Sequence, residues 1–217
     1  MLPPPSTYGD LVFLSPSGGR RFSSPESVIV GSRLEEMDAC LAAVEDALAD
    51  GKYVAGYMAY EAGWTFLERT APRPVQEAPL LWFGVYGDPT PVPPLAAPAE
   101  ADPSPCWRPS ITRERYHERL CRIKEYIAAG DTYQVNFTFP FVTQYEGDPW
   151  QWFQQLFAGQ PTEHAAYLNL GDRVLLSLSP ELFFRLEGDR LTTRPMKGTR
   201  PRGLYPEADA CLREDLR

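Results

Sequence analysis

The chain is poor in the residues that build metal centres and disulfide frameworks. It has two histidines, and its four cysteines (Cys40, Cys106, Cys121, Cys211) form no C-x-x-C pair. No usual spacing lets these six residues hold zinc, and reduced thiols in a cytoplasmic protein are the simplest expectation. Positive charge is also scarce: 21 Lys and Arg stand against 29 Asp and Glu, for a net charge of −8 and a pI near 4.9. That balance argues against a nucleic-acid or anionic-membrane surface, so an acidic ligand needs a locally basic pocket. No apolar run approaches membrane-spanning length. The first ten residues lack the basic region and apolar core of a signal peptide. There are no internal repeats.

What is present is the composition of a soluble globular protein, 43% hydrophobic and 23% charged, enough for one large domain or two small ones. Residues 89–109 hold eight prolines and read as a linker or long exposed loop. The expected organisation is an α+β region over 1–88, a proline-rich linker over 89–110, and a second α+β region over 111–217. Leu11–Leu14, Tyr53–Tyr60 and Leu80–Tyr86 read as strands. Ser32-Arg33-Leu34-Glu35 has the spacing of a capping box before a helix that Gly51 stops. Glu61 reads either as a paired, buried acid or as a solvated loop acid.

In the second half, Thr112 caps a helix with the face Tyr116, Leu120, Ile123, Ile127, ended by Gly130. Tyr133, Val135, Phe137, Phe139 and Phe141 alternate as one face of a strand. Asp148-Pro149 opens a helix that Gly159 stops. Ala165–Leu170 and Arg173–Leu178 read as strands joined by a Gly-Asp turn.

The chemistry concentrates in residues 179–203. Leu182–Leu186 and Leu191–Thr193 read as a hairpin turned by Gly188-Asp189. A two-residue turn sets Glu181 against Met196, with Lys197 next along; a longer loop or a bulge sets Glu181 against Lys197 itself. On spacing alone, such a pair is a surface ion pair of little energetic value. The next segment, Gly198-Thr199-Arg200-Pro201-Arg202-Gly203, is a glycine-bounded loop with two arginines, suited to an anion.

Two segments carry a family resemblance. S-P-E at 179–181, with P-M-K-G-T-R-P-R-G at 195–203, resembles the signature of chorismate-using enzymes, which include anthranilate, aminodeoxychorismate, isochorismate and salicylate synthases. Gly130-Asp131-Thr132-Tyr133-Gln134-Val135-Asn136 resembles a second signature of that family. The resemblance covers most of 113–217 well and the N-terminal half more loosely, where G-Y-M-A-Y-E-A-G-W is similar to an element of aminodeoxychorismate synthase component I. It implies a largely antiparallel, anthranilate synthase component I-like fold, here incomplete. The chorismate module of the family is roughly twice as long as the region C-terminal to the linker.

The resemblance also implies roles. Replacing the C4 hydroxyl of chorismate by an amine needs an acid and a nucleophile; Glu181 suits the first and Lys197 the second. Lysine at position 197 is the choice of aminodeoxychorismate synthases, where it attacks the ring before ammonia displaces it. Relatives that make anthranilate, isochorismate or salicylate carry a small residue there. Gln134 stands where isochorismate and salicylate synthases carry a water-activating lysine, and glutamine has no useful basicity. Gln134, Gly198, Thr199 and Arg202 are the expected substrate contacts. Magnesium is implied as cofactor, with its ligands beyond residue 217. The implied partners are chorismate and a glutamine amidotransferase subunit that supplies ammonia. Alternatives are anthranilate synthase component I and, from another class, a non-catalytic fragment that binds a ligand or partner.

Overall fold

A computed structural model describes residues 4–67, 78–95, 105–195, 198 and 200–216. Contacts divide the chain into two compact units, Met1–Pro98 with Phe153–Arg217, and Ala99–Trp152. In chain order the first unit contains β1 (Leu11–Ser15), β2 (Gly18–Phe22), β3 (Ser27–Gly31), α1 (Met37–Ala49), β4 (Tyr53–Met58), β5 (Leu81–Tyr86) and β6 (Thr90–Val92). The second contains β7 (Arg108–Pro109), α2 (Arg113–Ala129) and β8 (Phe141–Val142), and the helix α3 (Pro149–Gly159) carries the boundary. The first unit resumes with β9 (His164–Asn169), β10 (Val174–Ser179), β11 (Leu182–Glu187), β12 (Arg190–Arg194) and α4 (Pro206–Asp215).

The strand pairs described are antiparallel. One sheet runs β10-β9-β1-β2-β6 and another β3-β5-β4. Leu11 is opposite Leu168, so strands from either side of the proline-rich stretch share one sheet. Within that stretch, Thr90–Val92 joins the sheet as its edge, the place where Pro91 costs no ladder bond.

The core of the first unit arises from this pairing. Leu11, Phe22, Ala55, Trp82, Tyr86, Leu168 and Leu170 form one buried cluster. Tyr86 donates its hydroxyl to the Gly9 carbonyl at 2.8 Å, and the buried Asp10 carboxylate takes Arg21 at 2.8 Å. A second cluster joins Leu34, Met37 and Cys40 to Ala62, Leu80 and Leu81. Gly31 leaves no room for a Cβ beside Met37 and Cys40, which lets α1 lie close on β3.

The helix before Gly51 forms, with a different cap. Glu36 rather than Glu35 supplies the carboxylate, accepting from the Ser32 and Arg33 amides at 2.9 and 3.1 Å. A short 3₁₀ turn over Leu34–Glu36 advances the register by one residue. Those amides, with the Arg33 side chain, hold the Glu36 carboxyl below its usual range. Glu61 is half-buried in a 3₁₀ stretch, Tyr60–Phe66.

In the second unit, Thr112 accepts the Arg115 amide at 3.2 Å, and Gly130 ends α2 at φ 81°. The expected strand over 133–141 does not form as a ladder: residues 133–140 have no strand assignment, and β8 begins at Phe141. Alternation survives as packing instead, with Phe137 and Phe139 against Tyr116 of α2 at 5.7 and 5.8 Å. A ladder needs a backbone partner, and side-chain pattern alone supplies none.

Candidate active site

β10 ends in Ser179, and the S-P-E corner is fixed locally. The Ser179 hydroxyl accepts the Glu181 amide at 3.2 Å and donates to the Glu181 carbonyl at 3.1 Å. β11 then leaves the corner, with Glu181 on the exposed side. Gly188 takes φ 57°, the positive angle a primed two-residue turn requires at its first central position.

From that turn the register runs Glu187–Arg190, Leu186–Leu191, Arg185–Thr192, then jumps to Leu182–Arg194. Phe183 and Phe184 together face Thr193, which makes a bulge on β11. Among the described pairs, the bulge shifts the register in the opposite sense from the shift that would set Glu181 against Lys197. Continued one step, the observed register sets Glu181 against Pro195. Lys197 and Thr199 lie outside the described residues. Gln134 belongs to the other compact unit, where the Thr132 hydroxyl donates to its carbonyl at 3.1 Å.

The loop arginines are engaged by α4, a helix absent from the elements expected of the sequence. The Arg202 Nε reaches Asp209 Oδ1 at 2.7 Å, and a second guanidinium nitrogen reaches Oδ2 at 2.9 Å. The Gly203 amide donates to the same Oδ1 at 2.9 Å. Arg200 pairs with Asp215 at 2.5 Å. The Arg202 fork, then the Gly203 amide, hold the Asp209 carboxyl below its ordinary range. Both acids belong to α4. Its signals were Pro206 at the first helical position and acids in the first turn.

A cavity of about 850 Å³ lined by Ser15, Arg20, Glu163, His164 and Arg185 lies in the first unit, and Glu181 is not part of its wall. Among the described residues no group of three or more His, Cys, Asp or Glu can hold a metal ion. The implied magnesium finds no donor set there, and no chemical step is assigned to it.

A family profile described as chorismate binding enzyme matches residues 17–217, and the chain belongs to that family. Among curated relatives, aminodeoxychorismate synthase component 1 of Klebsiella aerogenes is 42% identical over 110 residues, which is 51% of this chain and 24% of that protein. Anthranilate synthase component 1 of Pseudomonas putida is 39% identical over 122 residues, 56% of this chain and 24% of that protein. A solved structure described as a 2,3-dihydroxybenzoate-specific isochorismate synthase, DhbC, from Bacillus anthracis shares the fold at a TM-score of 0.64 and 18% identity. That match covers 96% of this chain and 54% of the solved one. The matched region is thus about a quarter of the length of these curated relatives.

Proposed function

We propose that the chain is an N-terminal portion of aminodeoxychorismate synthase component I, whose intact form makes 4-amino-4-deoxychorismate from chorismate and ammonia, on the path to p-aminobenzoate and folate. The observation that carries this reading is Lys197 within P-M-K-G-T, in a chain that belongs to the chorismate binding family. Similarity to the aminodeoxychorismate synthases supports it.

In the proposed reaction the neutral Lys197 amine adds to the ring as the C4 hydroxyl departs. Glu181 gives that hydroxyl its proton, so water leaves. Ammonia then adds at C4 and expels the lysine amine, leaving chorismate plus ammonia converted to aminodeoxychorismate plus water. Gly198 and Thr199 contribute to binding the substrate, with Gln134 at the second signature. Ammonia comes from a glutamine amidotransferase partner, magnesium serves as cofactor, and the enzyme is cytoplasmic. No helix among the described residues is long and apolar enough to cross a membrane.

The second reading is anthranilate synthase component I, favoured by an identity nearly as high over a slightly larger share of the chain. One experiment separates the two. The intact enzyme is given chorismate, ammonium and magnesium, with and without an aminodeoxychorismate lyase. p-Aminobenzoate that depends on the lyase supports the first reading; lyase-independent anthranilate supports the second. Lys197→Ala is expected to lower aminodeoxychorismate formation by about 10²-fold or more. Turnover at the wild-type rate would remove the nucleophile role.

A further inference from the structure

We infer that Asp209 is a positioning residue for the signature loop, and that Arg202 acts through it rather than by holding substrate; this rests on the chorismate-enzyme reading above. Three observations converge on Asp209, two of them on its carboxylate. Arg202 meets that carboxylate as a two-point fork at 2.7 and 2.9 Å. Gly203 adds its backbone amide to the same carboxylate at 2.9 Å. A Cβ built on Gly203 would collide with the backbone nitrogen and Cα of Asp209 itself. The final R-G of the signature is therefore a seat for the first turns of α4, shaped for backbone approach on one side and for a carboxylate on the other.

An exposed ion pair usually counts for little, because water and side-chain entropy offset it. Here the acceptor side is three-quarters shielded: the Asp209 side chain is 25% exposed, against 89% for Arg202. The fork is planar and bidentate, which fixes orientation as well as distance. The acid also lies in the first turns of α4, where the helix dipole favours negative charge. Arg200 with Asp215 makes a second tie from the same loop to the far end of α4. Arg200, Arg202 and Gly203 are thus each tied to α4, and where a loop serves a reaction small displacements of a reacting group are costly.

Arg202 is thus committed to Asp209. A substrate carboxylate would have to compete with an acid already seated on two of the three guanidinium nitrogens, Nε and one Nη. A substrate-binding arginine and a positioning arginine make different predictions, because only the second depends on its partner.

The test uses the intact enzyme with Arg202→Ala, Asp209→Ala, the double variant, and the milder Asp209→Asn and Asp209→Glu. Positioning predicts that each alanine variant lowers kcat by roughly ten-fold or more with KM for chorismate changed less than about two-fold. The double variant should be no worse than Asp209→Ala alone, since that change already removes the fork together with the Gly203 contact. Asp209→Glu should recover part of the rate, because a carboxylate can still accept the fork. Peptide-level hydrogen exchange across Gly203 should speed up in both alanine variants, whether or not the enzyme turns over. A raised KM in Arg202→Ala beside a wild-type Asp209→Ala would overturn the assignment, as would additive losses or unchanged exchange. Were the wild type to form neither amino product, the functional reading would fail while the exchange data still decided the tie.

Discussion

At the scale of single residues, the first unit is pinned by a few polar groups that have little alternative to the partner they hold. Tyr86 is the clearest. Its ring lies in the buried cluster with Leu11 and Trp82, and its hydroxyl finds the Gly9 carbonyl at 2.8 Å. Burial, with a smaller contribution from the Asp10 charge, pushes its phenol well above the ordinary tyrosine value. Tyr86→Phe is expected to cost about 1 kcal/mol at neutral pH, measured by chemical denaturation. A pKa raised on folding means that this contribution is complete below about pH 10 and is lost as pH rises further. Wild-type stability should therefore fall in that alkaline window, and Tyr86→Phe should flatten the fall. An identical alkaline slope in the two proteins would show that Tyr86 is not the responsible group. The sequence marks Tyr86 as a strand residue, but its hydrogen bond spans 77 positions and no local pattern points to Gly9.

At the scale of elements, what was legible was local, and what was not depended on distant partners. α2 could be read because its cap, stripe and stop lie within one stretch: Thr112, then Tyr116 to Ile127, then Gly130 at φ 81°. The β9-β10 hairpin could be read from Gly171-Asp172 for the same reason. The alternation over 133–141 was equally clear, yet it yields an aromatic row on Tyr116 rather than a paired strand, because pairing belongs to another segment. The bulge at Phe183-Phe184 and the salt ties to α4 likewise join residues that no periodicity relates. The hairpin could thus be placed from sequence, but its open-end register could not. Local readability carries an energetic corollary for α2. None of its residues is buried, so its stability leans on caps and i,i+3 or i,i+4 pairs such as Arg115–Glu118. Thr112→Ala is expected to cost about 1 kcal/mol, seen as faster amide exchange in the first turn of α2. Unchanged protection there would mean that tertiary packing, not the cap, sets the helix start.

At the scale of the molecule, the apolar surface and the extent of the family match argue together. Phe183 is 85% exposed and Leu204 fully so, and Leu186 and Leu191 of the two-stranded hairpin are also open. Two strands alone are marginal in water, and clustered exposed apolar groups mark surfaces that pack against something. The fold match covers 54% of the solved isochorismate synthase, and the curated matches cover about a quarter of the relatives' length. We therefore predict that the 217 residues by themselves do not convert chorismate, even with ammonium and magnesium. On the reading proposed above, the intact enzyme supplies further substrate and magnesium contacts, since the match spans about a quarter of the length of these relatives. Glu181 and the loop that carries Lys197 would then act on a substrate that is not held, which forfeits most of the advantage of proximity. The same chain is expected to self-associate or to unfold at low denaturant, because the hairpin leaves strand edges and aromatic side chains to solvent. Light scattering after size exclusion reads the self-association. Incubation with chorismate, ammonium, magnesium and a lyase, then detection of p-aminobenzoate, reads the conversion. Appreciable product from a monodisperse preparation would refute the prediction and show that the signature hairpin, with its tie to α4, is sufficient for the reaction.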